Sequence, residues 1–172
     1  MKKVVLIGYM GSGKSVISQK LEFLTGISAV ELDELIEKKC QMSIKEIFQK
    51  KGELFFRKQE HQLFKELLSD DRSIIISTGG GTPCYFNNHE LLKENNVISI
   101  YLRASVDTLF NRLIVEKQKR PLIANLDDSE IKEFIAKHLF DRSFYYNQAT
   151  HSIAIDGKSI EDIANEVKEL LT

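Results

Sequence analysis

This sequence has few cysteines, almost equal numbers of positive and negative charges, and no long apolar run. Each of these three features excludes a class of protein. Cys40 and Cys84 are the only cysteines among 172 residues, so there is neither a disulfide framework nor a metal-ligand spacing. Lysine plus arginine number 24 against 25 aspartate plus glutamate, so no basic excess favours nucleic acid. No apolar run is long enough to cross a membrane.

A signal-peptide pattern is also missing, because the chain leads directly into an apolar segment typical of a core strand. We therefore expect a cytoplasmic protein with reduced thiols and no membrane or nucleic-acid partner. A monomer is the working expectation for its assembly. The length predicts a single domain over residues 1–172. Because the net charge is close to zero, we expect any anionic ligand to bind at local clusters of lysine and arginine.

The clearest feature that is present is a phosphate-binding loop. Residues 8–15 fit the pattern G-x-x-x-x-G-K-[ST] without a mismatch, between an apolar segment and a segment with helical spacing. Glycines let the backbone N–H groups of such a loop reach phosphate oxygens, and the helix N-terminus adds partial positive charge. Lys14 is predicted to bridge the β- and γ-phosphates, and the Ser15 hydroxyl to bind Mg²⁺.

The rest of the chain alternates between apolar β-branched segments and segments with helical periodicity. We predict strands over 3–8, 28–32, 73–77, 97–102 and 151–155. We predict helices over 14–25, 33–40, 43–51, 53–69, 88–95, 105–115, 129–146 and 159–171. This alternation indicates an α/β fold with helices on both faces of a parallel sheet. Ligands in such sheets bind beyond the carboxyl ends of the strands.

Carboxylates that could assist a metal occur after the short second strand. Many phosphate-loop proteins place an aspartate at the end of an apolar strand, but neither 73–77 nor 97–102 ends in one. Glu31 and Asp33 are spaced to lie on one side of an extended segment. One could serve the metal and the other an acceptor hydroxyl. Asp33 could equally be the N-cap of the following helix.

Three consecutive glycines, Gly79–Gly81, follow the predicted strand 73–77. Ordering three glycines costs backbone entropy on folding. This cost is explained if a group such as a small polar ligand must approach the backbone closely. A tight turn is the alternative. Arg57 precedes Glu60 by one helical turn, so the two could form a surface ion pair. If Glu60 is buried, it could instead orient Arg57 towards a substrate carboxylate. Arg142 could likewise form a surface ion pair or bind a substrate carboxylate.

Residues 116–128 form a polar segment in which periodicity breaks at Pro121. The segment is either a mobile lid or a long solvated loop. Its cationic run, which includes Arg120, could be a solvated face. In a phosphoryl-transfer enzyme, a lid arginine can instead close over the γ-phosphate.

Taken together, these motifs resemble the bacterial shikimate kinase family over nearly the whole chain. The resemblance rests on the loop 8–15 with Met10-Gly11 inside it, Asp33, Ser43-Ile44-x-x-Ile47-Phe48, Gly52-Glu53, Phe56-Arg57-x-x-Glu60, Ser77-Thr78 before the glycine run, Arg120-Pro121-Leu122 and Arg142-x-x-x-Tyr146. It implies a three-layer α/β/α phosphate-loop fold with a five-stranded parallel sheet, a lid at about 116–128 and a helical substrate-binding region at about 33–61. The implied reaction moves the γ-phosphoryl group of ATP to the 3-hydroxyl of shikimate, with Mg²⁺.

The resemblance also implies a role for each site residue. The catalytic residues would be Lys14, Asp33 and Arg120, with Ser15 as the metal ligand. ATP would contact Gly11, Ser12, Gly13, Lys14, Ser15, Val16 and Arg120. Shikimate would contact Asp33, Arg57, Gly79, Gly80, Gly81 and Arg142.

Two departures from the family pattern affect these roles. The family usually has Asp-x-Asp where this chain has Glu31-Leu32-Asp33, so Glu31 would reach the metal through a longer side chain. The family often has an arginine that faces the adenine before the lid, and Arg112 is a candidate for it. The resemblance assigns adenine contacts near Asp156-Gly157-Lys158 no more firmly than it assigns Arg112.

Three other interpretations remain open from the sequence. A gluconate kinase-like enzyme shares the phosphate loop but leaves the Phe-Arg-x-x-Glu motif and the glycine run without a role. A GTPase-type switch or the nucleotide-binding subunit of a larger machine is the second. The sequence has neither an Asn-Lys-x-Asp guanine-binding motif nor a metal-binding aspartate at the end of a strand. An inactive family member that acts as a binding module is the third.

Overall fold

Five parallel strands form the central sheet of the computed structural model, which describes residues 2–172. The strands are β1 (Lys3–Ile7), β2 (Ala29–Glu31), β3 (Ile74–Ser77), β4 (Val97–Arg103) and β5 (His151–Ala154). Their order across the sheet is β2-β3-β1-β4-β5, and every pairing is parallel. The predicted parallel α/β fold is therefore confirmed.

Within the described residues, eight α-helices connect and cover these strands. They are α1 (Lys14–Thr25), α2 (Leu32–Cys40), α3 (Ile44–Lys50), α4 (Glu53–Ser69), α5 (Asn88–Leu91), α6 (Val106–Val115), α7 (Asp128–Tyr146) and α8 (Ile160–Glu169). Most lie within two residues of their predicted bounds, but α5 is half as long as predicted. Two short 3₁₀ helices, Thr82–Cys84 and Lys117–Lys119, were not predicted.

The central position of β1 explains why it is apolar on both faces. Val4 to Ile7 are buried, with β3 paired on one side and β4 on the other. Because all five strands run the same way, the segments that follow β1, β2 and β3 meet at one edge of the sheet. These segments are the phosphate loop, the junction of β2 with α2 at Glu31–Asp33 and the glycine run, so the topology alone brings the predicted site together.

Residues 116–128, which the sequence left open as a lid or a solvated loop, are not solvated throughout. The segment begins with the 3₁₀ helix Lys117–Lys119, and the side chain of Ile123 is fully buried while that of Leu122 is 63% exposed. A buried isoleucine anchors the middle of the segment to the core. The segment ends at the capping box of α7, in which Asp127 and Glu130 exchange hydrogen bonds.

Between residues 2 and 172, no helix is both long and apolar enough to cross a bilayer.

Candidate active site

The phosphate loop connects β1 to α1 in a conformation that needs its glycines. A side chain at Gly8 would meet the carbonyl oxygen of Leu102 at 2.9 Å, while Gly11 and Gly13 have left-handed φ values of 83° and 94°. Helix α1 begins directly after Gly13 without a side-chain cap. Its first N–H groups and its dipole therefore remain available to an anion at the loop.

Lys14 folds back over this loop. Its Nζ donates to the carbonyl oxygens of Gly8 at 2.8 Å and Tyr9 at 3.2 Å. Burial lowers the pKa of Lys14 to about 8, although the nearby carboxylates of Asp33 and Glu31 favour its charged form. An anion in the loop would favour the protonated amine, so this lysine is suited to hold a phosphate group.

A cavity of about 670 Å³ extends from the phosphate loop to the glycine run. Nine of the predicted site residues line it: Gly11, Gly13, Lys14, Ser15, Val16, Asp33, Gly79, Gly80 and Arg120. Ser12 does not, because its side chain is buried behind the loop. Arg57, Gly81 and Arg142 also lie outside the lining and form the acceptor corner described next.

Charged side chains pack directly against the glycine run. A Cβ atom would lie 3.1 Å from Asp33 Oδ1 if built on Gly79, 3.1 Å from Arg142 Nη1 if built on Gly80, and 2.7 Å from Arg57 Nη2 if built on Gly81. None of the three glycines has a left-handed φ. The glycines are therefore needed because they leave room for these side chains, and not because they adopt φ values that other residues avoid. The close approach expected there is made by side chains of the protein itself. We call Asp33, Arg57, Glu60, Arg142 and the glycine run the acceptor corner.

Arg57 is held by a buried ion pair, so a surface pair is the wrong interpretation. Its Nη1 donates to Glu60 Oε1 at 2.9 Å, and the Glu60 side chain has no exposed surface. The guanidinium lies 4.0 Å from the centre of the Tyr85 ring. Its Nε atom is buried and lacks a hydrogen-bond partner among the described residues. The guanidinium is thus fixed in place while part of its donor capacity remains free.

Arg142 lies on the other side of the glycine run without a carboxylate partner. Throughout the described part of the chain, no acidic oxygen lies within 4.0 Å of its guanidinium. Tyr146 donates to the carbonyl oxygen of Gly80 at 2.6 Å, and Arg142 Nη1 lies 3.4 Å from the same hydroxyl. A partly buried arginine with no counter-ion is a site for an anion.

Asp33 is not the N-cap of α2, because the helix begins at Leu32 and Glu31 occupies the cap position. The carboxylate of Asp33 instead lines the cavity from the first helical turn, and its Oδ1 is buried without a partner. Burial, and then repulsion by Glu60, raise the pKa of Asp33 to about 6. A carboxylate with this pKa can accept a proton from a hydroxyl group near neutral pH.

Glu31 lies beside the hydroxyl predicted to bind a metal. Its two carboxylate oxygens accept hydrogen bonds from Ser15 at 3.0 Å and from Ser18 at 3.2 Å. Within residues 2–172, no group of three His, Cys, Asp or Glu side chains could hold a metal ion. Ser15 and Glu31 together supply the few hard oxygen ligands that Mg²⁺ takes from a protein when phosphates and water supply the others.

Two arginines approach the cavity from the lid side. Arg120 lies on the lining and pairs with Glu116 at 3.0 Å. Arg112 also lines the cavity and donates to the carbonyl oxygen of Gly11 at 3.0 Å. Asp156 does not line it, because its carboxylate accepts hydrogen bonds from Ser105 at the start of α6.

Several side chains that complete the site were missed from the sequence. Tyr9 lies under Arg142, with its ring centre 5.6 Å from the guanidinium carbon, and Tyr85 lies under Arg57. Thr82 donates to Glu60 at 2.8 Å. Tyr146 was not missed, because the motif Arg142-x-x-x-Tyr146 places it on the same helix face as Arg142.

A glycine-rich loop at a helix N-terminus, a cavity lined by lysine and arginine and a carboxylate with a pKa of about 6 are the features of a phosphate-loop phosphotransferase. The shikimate kinase family matches residues 10–172. A shikimate kinase from Flavobacterium johnsoniae is 56% identical over 99% of both chains. One from Flavobacterium psychrophilum is 50% identical over the same shares.

Solved structures agree. A shikimate kinase from Bacteroides thetaiotaomicron is 31% identical with a TM-score of 0.89, covering 99% of this chain and 98% of that one. A shikimate kinase from Acinetobacter baumannii, solved in complex with shikimate, is 29% identical with a TM-score of 0.87 over 99% and 93%. The chain belongs to the shikimate kinase family.

Asp33→Asn is expected to stabilise the ligand-free, metal-free protein in a pH-dependent way. Because the folded-state pKa of Asp33 is raised to about 6, folding takes up a proton between about pH 4 and pH 6. The charged carboxylate therefore costs stability above pH 6, and this cost disappears as the pH falls towards 4. The variant should gain roughly 2–3 kcal/mol of unfolding free energy at pH 7.5 and far less at pH 4.

Urea denaturation at both pH values measures this difference. Asp71→Asn, at an exposed turn, is the control and should change stability little at either pH. Equal destabilisation by Asp33→Asn at both pH values would mean that the carboxylate carries no folding penalty.

Proposed function

We propose that this chain transfers the γ-phosphoryl group of ATP to the 3-hydroxyl of shikimate and releases shikimate 3-phosphate and ADP. The acceptor corner carries this proposal, because an unpartnered carboxylate and two arginines surround the glycine run. Shikimate is a small carboxylate with three hydroxyl groups. Its carboxylate matches the arginines, and a hydroxyl matches Asp33.

The nucleotide would bind on the phosphate-loop side of the cavity. The N–H groups from Gly11 to Val16, at the loop and the start of α1, would hold the phosphates. Lys14 would leave its carbonyl partners and bridge the β- and γ-phosphates. Arg112, on the cavity wall, would face the base.

Mg²⁺ would be held by Ser15, with Glu31 directly or through water, next to the phosphates. When bound, Mg²⁺ neutralises charge on the phosphate oxygens. The fit is supported by the 3.0 Å contact between these two side chains.

The acceptor would be oriented by Arg57 and Arg142 through its carboxylate and by the glycine-run backbone. Asp33 would take the proton of the 3-hydroxyl as that oxygen forms a bond to the γ-phosphorus. The bond from the γ-phosphorus to the bridging oxygen breaks, and ADP leaves with that electron pair. A carboxylate with a pKa of about 6 is ionised at neutral pH and can hold this proton.

Arg120 would act from the lid segment. In this structure Glu116 holds it at 3.0 Å on the cavity wall. Moving from Glu116 to the transferring phosphoryl group would place its charge where negative charge is spread in the transition state. A single kinase domain with a substrate-binding region at about 33–61, a monomeric state and a cytoplasmic location complete the proposal.

A coupled ADP-release assay tests the function directly. With Mg²⁺ and ATP present, shikimate should give rapid turnover, whereas gluconate and a reaction without acceptor should give only background. Turnover with gluconate would favour a gluconate kinase-like enzyme. No turnover with any acceptor, together with retained ATP binding, would favour a binding module.

Arg57→Ala and Arg142→Ala are expected to weaken shikimate binding at least about tenfold while changing ATP binding less than about threefold. Each variant removes a charge-assisted hydrogen-bonding group from the acceptor corner, which is worth about 1.5–3 kcal/mol. Isothermal titration with each ligand measures the split. Arg72→Ala is the matched control, because Arg72 is an exposed arginine paired with Asp70. Equal losses for both ligands would contradict the acceptor assignment.

The lid segment is expected to gain protection from hydrogen exchange when nucleotide and shikimate are both bound. Closure would expel water and strengthen the interaction of Arg120 with the transferring group. Amides around Ile123 should already be protected without ligands, because this side chain is buried. Arg120→Ala should lower kcat strongly with little change in shikimate affinity. Unchanged exchange over residues 116–128 in the ternary complex would show that the segment is only a loop.

A further inference from the structure

Glu60 has two hydrogen-bond partners, and only one of them belongs to the acceptor corner. Its Oε1 accepts from Arg57, and its Oε2 accepts from the Thr82 hydroxyl at 2.8 Å. Neither Glu60 nor Thr82 has exposed surface. A buried carboxylate with one oxygen left unpaired is costly, so both partners are needed to hold it in one orientation.

Thr82 is itself fixed from behind. The Asn88 side chain donates from Nδ2 to the carbonyl oxygen of Thr82 at 2.9 Å, and its Oδ1 lies 2.6 Å from His61 Nδ1. Thr82 also begins a 3₁₀ helix and donates its backbone N–H to the carbonyl oxygen of Gly79 at 3.2 Å. The hydroxyl thus has a fixed position relative to the glycine run.

We propose that Thr82 is a positioning residue for the acceptor, acting through Glu60. Its hydroxyl fixes the carboxylate whose other oxygen orients Arg57, and Arg57 in turn faces Gly81. Without this donor the Glu60 carboxylate is free to rotate, and its hold on Arg57 weakens. This inference rests on the proposed function, since its measured effect is on the acceptor.

The effect should be selective because the phosphate loop takes no part in this chain of contacts. Thr82→Val keeps the shape and removes the donor, whereas Thr82→Ser keeps the donor. Loss of a hydrogen bond to a charged group predicts an increase in the KM for shikimate of about 10–100-fold in Thr82→Val. The KM for ATP should change less than about threefold, and Thr82→Ser should remain close to the unaltered protein.

A double-mutant cycle distinguishes this role from a general structural one. Glu60→Met removes the carboxylate at similar volume, so adding Thr82→Val to it should raise the shikimate KM by less than about twofold. Thr25→Val is the control, because its hydroxyl donates to the carbonyl oxygen of Leu21 at the far end of α1. It should leave both KM values unchanged. If Thr82→Val does not fold, Thr82→Cys, a weak donor, takes its place with the same expectations.

The outcomes are separable. No turnover of shikimate by the unaltered protein contradicts the proposed function. With that turnover present, an unchanged shikimate KM in Thr82→Val, an equal rise in both KM values, or the same increase with and without Glu60 each overturns the role of Thr82.

Discussion

Space at three consecutive backbone positions decides how the acceptor corner is built. The side chains of Asp33, Arg142 and Arg57 each occupy volume that a Cβ on Gly79, Gly80 or Gly81 would take. The glycines have backbone conformations open to other residues, so their entropic cost in the unfolded chain is offset by what the missing atoms allow. A carboxylate and two guanidinium groups can converge on one short loop only because the loop has no side chains.

This convergence brings several buried charges together, and only some of them are paired with a charge of opposite sign. Glu60 neutralises Arg57, while Arg142 has stacking and hydroxyl contacts but no counter-ion among residues 2–172. Asp33 has no hydrogen-bond partner among the described residues, and burial, followed by repulsion from Glu60, raises its pKa. Arg142 is thus a cation without a counter-ion among the described residues, and the raised pKa of Asp33 disfavours its charged form. The ligand-free arrangement of these two side chains is therefore energetically unfavourable. It becomes better satisfied when a ligand supplies a carboxylate and a hydroxyl group.

Local patterns predicted the fold and the phosphate loop well, because both depend on short-range periodicity and on glycine chemistry. All five strands and all eight α-helices were placed, and the loop lies where the motif put it. Sequence reasoning left questions open, or missed contacts, where distant residues decide. Whether Glu60 is buried depends on packing against the 3₁₀ helix Thr82–Cys84, which no local signal in α4 reports. The stacking of Tyr85 on Arg57 and of Tyr9 on Arg142 is likewise a product of tertiary contacts.

The acceptor KM of Gly81→Ala tests the central claim most directly. The φ of Gly81 is −96°, which suits alanine, so the added Cβ acts only through its contact with the Arg57 guanidinium. The account predicts that the shikimate KM rises at least about tenfold, a loss of about 1.4 kcal/mol, while the ATP KM stays within about threefold. Gly26→Ala, with no atom near its Cβ and a strained φ of 70°, controls for general loss of stability. A folded Gly81→Ala protein with an unchanged shikimate KM would contradict the claim that the glycine run makes room for the acceptor corner.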